Sequence, residues 1–177
     1  MQAMFGPDIL KGPYDHFFAM PTLSYGGYGY ANYFMAYALY EEVIERNFAQ
    51  QADLAVPYNT MVAEAINRGG LPRMIRLDHD MADSRGTLVD VRSLDRIWFP
   101  HFARCIRPFL EAGVRPIWHC DGNLMALVPR LLEAGVAGFQ PSQSPLPQKP
   151  LPHPLPIRHL PGMVYRFYER ARFGLGE

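Results

Sequence analysis

The chain has 177 residues, of which 49% are hydrophobic and 19% charged, so it is long enough to bury one hydrophobic core. Its 17 basic and 17 acidic residues cancel, which argues against binding of nucleic acid through bulk charge. No apolar run approaches the roughly 20 residues of a membrane span, and the N-terminus has no signal-peptide pattern. We therefore expect a cytoplasmic protein that binds neither nucleic acid nor membrane.

The order of apolar runs and turn residues predicts alternating strands and helices. Short apolar runs that end in glycine or polar loops indicate strands, and apolar residues at three- and four-residue spacing indicate helices. Ser93 is the expected N-cap of the helix that follows the long polar loop. The predicted elements are a strand at 17–23, a glycine-rich loop at 24–30, helices at 31–51 and 61–68, a strand at 74–77, a loop at 78–90, a helix from Ser93 to Gly113, a strand at 114–118, a helix at 124–133 and a strand at 135–139.

This alternation predicts an α/β fold with a parallel sheet, because right-handed crossovers place each helix on a face of the sheet. A barrel and a doubly wound sheet both remain compatible with it. The predicted domain covers residues 1–140. Residues 141–177 form a separate tail in which eight of the 17 prolines lie between Pro141 and Pro161. Proline lacks an amide hydrogen, so the tail is expected to be extended, with a short basic helix from Met163 to Arg172 near its end.

The strongest chemical motif follows the strand 114–118. Side chains alternate along a strand, so His119 and Asp121 are expected to point to one side and Cys120 to the other. An imidazole and a carboxylate that converge can bind zinc or act as a base with its orienting acid, and Gly122 leaves room for a ligand. The alternative is structural: His119 bonds a neighbouring loop, while Asp121 and Asn123 cap the next helix. Cys120 is expected to be a buried thiol.

Two further strand ends carry candidate site residues. Asp78, His79 and Asp80 place two carboxylates around a histidine, an arrangement that can recruit a cation or be ordinary loop solvation. Tyr25 and Tyr28 could line an apolar pocket with phenol donors, although loops of glycine and aromatic residues also simply turn the chain. The sequence contains no phosphate-binding glycine loop followed by a helix, no HExxH and no paired CxxC, so common nucleotide and zinc-finger sites are excluded.

Several segments together resemble the uroporphyrinogen decarboxylase superfamily. The segments are Leu77-Asp78-His79-Asp80-Met81-Ala82, Arg85-Gly86, Trp98-Phe99-Pro100-His101, Ile117-Trp118-His119-Cys120-Asp121-Gly122-Asn123 and 131–140. The resemblance covers roughly residues 12–140 and implies a (β/α)8 barrel. Because such a barrel needs about 250 residues, the chain is expected to form a partial TIM-type barrel of about four βα units followed by the proline-rich tail.

The methyltransferase branch of that superfamily binds zinc through a His-x-Cys motif at this strand end. The resemblance therefore implies a zinc-dependent methyltransferase that acts on a small-molecule substrate with a corrinoid carrier protein as partner. His119 matches the family's histidine, whereas Asp121 stands in the position of its cysteine. The resemblance further assigns Asp80, beside His119 and Asp121, to catalysis, and it implies substrate contacts by Tyr25, Tyr28, Asp78, His79 and Asn123.

Two other functions remain open. The first is porphyrinogen decarboxylation in tetrapyrrole biosynthesis, in which Asp80 and Tyr25 would contact the pyrrole nitrogens and carboxylates. This chain lacks the decarboxylases' arginine-rich substrate loop, which a substrate with many carboxylates needs. The second is a non-catalytic half-barrel that self-associates through its unpaired sheet edges.

Overall fold

The computed structural model describes residues 12–13 and 17–140. The predicted proline-rich tail, its basic terminal helix and the domain boundary at residue 140 concern residues 141–177, which lie outside the described part. The elements in chain order are α1 (Tyr25–Tyr28), α2 (Tyr30–Leu39), α3 (Glu41–Arg68), β1 (Met74–Asp78), α4 (Val91–Ile97), α5 (Phe99–Glu111), β2 (Arg115–His119), α6 (Val128–Ala134) and β3 (Gly138–Gln140).

The three strands form one parallel sheet in the order β1-β2-β3. Alternate residues of the strands point to opposite faces, and Ile75, Leu77, Pro116 and Trp118 are the buried ones. Trp118 meets the ring of Trp98 edge to face, with centroids 6.1 Å apart. These contacts place the hydrophobic core between the sheet and the helices, and they leave the carboxyl ends of β1 and β2 side by side.

The expected partial barrel of about four βα units is wrong. Among the described residues the sheet has three strands and is not closed. The missing strand is the predicted one at 17–23, which is not assigned as a strand and pairs with no strand of the sheet. The protein is instead a mixed helical and stranded fold with a small open parallel sheet.

The segment 17–23 is held by side chains rather than by a neighbouring strand. Its backbone groups bond to polar side chains of α3, of the α4–α5 junction and of the loop after β1. The segment therefore satisfies its backbone hydrogen bonds without pairing with a neighbouring strand. The pairs are the Ala19 N–H and C=O with Asn59, the Pro21 C=O with Trp98 Nε1, the Thr22 N–H with Gln51, and the Leu23 N–H with His79 Nε2.

The helices differ from prediction in their ends. The predicted helix 31–51 is divided at Tyr40, whose backbone (φ −137°, ψ 54°) leaves the helical region, and α3 then continues through Pro57 to Arg68. Ser93 is not the N-cap of its helix. The Asp90 carboxylate accepts from the Ser93 N–H and caps α4, while the Ser93 hydroxyl is buried 2.8 Å from the Tyr37 hydroxyl. Ser93 thus joins α4 to α2.

The remaining predicted strands and helices correspond to β1, β2, α6 and β3, with ends shifted by a few residues. In the part of the chain that the structure describes, none of the helices has the length and apolar character needed to cross a membrane.

Candidate functional site at the carboxyl ends of the strands

The candidate site lies where β1 and β2 end. Asp78 and His119 are register partners, and the His79 N–H donates to the His119 carbonyl at 3.4 Å. This contact extends the ladder by one residue beyond β1. The two motifs that the sequence separates by about 40 residues, Asp78-His79-Asp80 and His119-Cys120-Asp121, therefore stand next to each other.

His119 and Asp121 form a close pair. His119 Nε2 lies 3.4 Å from Asp121 Oδ1; the histidine side chain is 15% exposed and the aspartate 64%. His119 Nδ1 is buried, and no described group bonds to it. Cys120 is buried as expected, and desolvation raises the pKa of its thiol to about 11. The pair therefore offers a largely buried imidazole and a carboxylate open to ligands, while Cys120 remains a protonated thiol.

Asp80 holds the loop after β2 in place. Its Oδ1 accepts from the Asp121 N–H at 2.9 Å, and its backbone carbonyl accepts from the Tyr25 hydroxyl at 3.1 Å. Burial, followed by the charge of Asp80, raises the pKa of Tyr25, so the phenol keeps its proton and donates it. Asp80 thus links both strand ends to the start of the α1 helix.

Asp78 and His79 already have intramolecular partners. Asp78 Oδ2 lies 3.0 Å from Arg76 Nη1, and His79 Nε2 accepts from the Leu23 N–H at 2.9 Å. Burial lowers the pKa of His79 to about 4, against the opposing charges of Asp80 and Asp78. His79 is therefore neutral near pH 7, and it anchors the N-terminal segment instead of facing a cation.

The turn after β2 requires glycine at position 122. A Cβ atom there would stand 2.6 Å from the Ala82 carbonyl oxygen, a backbone atom that cannot rotate away. This approach allows the Asn123 N–H to donate to the Asp83 carbonyl at 2.7 Å. Asn123 does not cap α6, which begins at Val128; its Oδ1 accepts from the Met125 N–H at 3.3 Å and stabilises the turn.

An aromatic cluster adjoins Asp80. Tyr25 and Phe34 stack with centroids 5.7 Å apart, and Tyr30 contacts both rings. Tyr28, expected beside Tyr25, is 68% exposed. Tyr30 and Phe34 were not predicted as site residues; their four-residue spacing on one helix face is the signal that could have linked them to Tyr25.

The structure supplies fewer metal donors than the motifs suggested. Within residues 12–13 and 17–140, no group of three or more His, Cys, Asp or Glu side chains is arranged to hold a metal ion. His119 and Asp121 remain a pair of potential ligands, and a catalytic zinc site commonly uses three protein ligands.

A surface groove of about 440 Å³ lies elsewhere, on the helical side of the sheet. Its lining includes Asp95 and Arg130, which bond to each other through two parallel contacts of 3.2 Å. Because these charges already satisfy each other, we place the candidate chemistry at the strand ends rather than in this groove.

Comparisons of the chain with models of protein families, with curated proteins and with solved structures found no match.

Proposed function

We propose that the chain is a member of the uroporphyrinogen decarboxylase superfamily that takes part in zinc-dependent methyl transfer to a small molecule, with a corrinoid protein as the methyl carrier. The observation that supports this proposal is the 3.4 Å separation of His119 Nε2 and Asp121 Oδ1 at the carboxyl ends of the strands. The sequence resemblance is what supports the superfamily and the corrinoid carrier. The fold proposed for this function is the open three-stranded sheet described above, not a partial barrel.

The separation of the two atoms is compatible with a metal ion shared between them. A charge-assisted N–H···O bond is usually about 2.7–2.9 Å long. Two ligands at about 2.0–2.1 Å from one tetrahedral zinc stand roughly 3.4 Å apart. His119 and Asp121 would thus hold the ion, and water, substrate or a further protein group would complete its coordination.

The zinc ion, when bound, would lower the pKa of the methyl acceptor's thiol or hydroxyl. The residues of the chain position this chemistry. If Nε2 bound the ion, His119 would carry its proton on Nδ1, which is buried and has no hydrogen-bond partner among the described residues. The Asp80 carboxylate holds the Asp121 backbone in place by accepting from its N–H. The rings of Tyr25, Tyr30 and Phe34 offer an apolar wall to the carbon part of a substrate.

The test is the metal content of the purified protein, measured by elemental analysis together with His119→Ala and Asp121→Ala. We expect near-stoichiometric zinc in the wild type and loss of zinc in both variants. His101→Ala and Asp53→Ala are matched controls, since they remove the same side chains from α5 and α3, and they should retain zinc. A folded wild-type protein that takes up no zinc would refute the proposed metal site.

A second candidate, metal-free porphyrinogen decarboxylation, is favoured by the limited donor set of two ligands. In this reaction Asp80 and Tyr25, which lie in contact, would bind the pyrrole nitrogens and the substrate carboxylates. Turnover of a porphyrinogen by chelator-treated protein, abolished by Asp80→Asn but not by Asp121→Ala, would support this candidate over methyl transfer.

A further inference from the structure

We draw no further inference here: the strongest candidate, the aromatic cluster of Tyr25, Tyr30 and Phe34 beside the exposed Asp80 at the carboxyl ends of the strands, belongs to the candidate site already described, and no described contact indicates what ligand would cover it.

Discussion

The side chain of Asn59 binds the backbone of Ala19 in both directions: its Nδ2 donates to the Ala19 carbonyl at 2.8 Å, and its Oδ1 accepts from the Ala19 N–H at 2.9 Å. The second hydrogen of Nδ2 is donated to the Cys105 carbonyl at 2.8 Å. Asn59 is fully buried. One amide in α3 therefore fixes both the N-terminal segment and α5.

The Asn59→Ala substitution is expected to lower the free energy of unfolding by roughly 2–4 kcal/mol, because it removes a fully buried amide that bonds to the partly buried Ala19 N–H and C=O and to the buried Cys105 C=O. Chemical denaturation measures this change. The control Asn32→Ala removes an amide that makes one exposed contact with Tyr28, and it should cost less than about 0.5 kcal/mol. Equal effects of the two substitutions would show that the buried amide network contributes little.

The Asp121→Cys substitution is expected to raise zinc affinity by roughly tenfold or more, because a thiolate binds zinc more strongly than a carboxylate and restores a His-x-Cys pair with His119. Competition with a chromophoric chelator measures this affinity. The aspartate side chain is largely exposed, so the change should not disturb folding. Asp53→Cys, an exposed site on α3, is the control. Zinc binding that is equally weak in both variants would argue against a metal ion at His119.

Acid is expected to weaken the fold through His79. Burial holds its folded pKa at about 4, whereas the ordinary pKa of a histidine, as in the unfolded chain, is about 6.5. The unfolded state therefore binds more protons than the folded state between these pH values. The contribution of neutral His79 to the free energy of unfolding is complete above about pH 6.5 and is lost as the pH falls to about 4. The loss amounts to roughly 3 kcal/mol.

Unfolding free energies of the wild type and of His79→Gln, measured between pH 7 and pH 4, test this assignment. The glutamine oxygen can accept from the Leu23 N–H but does not titrate in this range. The difference in unfolding free energy between the wild type and His79→Gln should become smaller as the pH falls. Parallel pH profiles would mean that His79 does not account for the acid sensitivity.

The Gly122→Ala substitution is expected to destabilise the protein by roughly 1–3 kcal/mol, because the new Cβ would push the Ala82 carbonyl away. It should also weaken zinc binding, since Asp121 precedes the displaced residue. Thermal unfolding and metal titration measure the two effects. Gly26→Ala is the control, because a Cβ at position 26 meets no atom within 4 Å. A Gly122→Ala protein as stable as the control would show that the turn adapts easily.

The sequence predicted the sheet well where local pattern decides the structure. Strands β1 and β2 follow from short apolar runs, and the alternation of residues correctly predicted that His119 and Asp121 approach each other while Cys120 is buried. The segment 17–23 was misassigned because its pattern is that of a buried strand. Its partners are single side chains far away in sequence, which periodicity does not reveal.

Contacts between residues far apart in sequence also explain why the roles predicted for His79 and Tyr28 differ from the structure. The pairing of His79 with Leu23, which makes that histidine structural, joins residues 56 positions apart. The aromatic cluster depends on how α1 and α2 are oriented. Tyr30 packs against Tyr25, where Tyr28 was expected, and Tyr28 is exposed. The partial barrel was inferred from the resemblance and from counting strands, and that count included the strand at 17–23, which does not form.

The anchoring of residues 19–23 has a consequence for the order of folding. Each anchor joins positions 29 to 77 residues apart, and closing such long loops costs entropy, so we expect the segment to become ordered after α3, β1 and Trp98 have assembled. The amide protons of Ala19, Thr22 and Leu23 are therefore expected to exchange with solvent through detachment of this segment alone, faster than those of the parallel sheet. Residues 19–23 are therefore expected to dock late in folding, onto helices and strands that have already packed together.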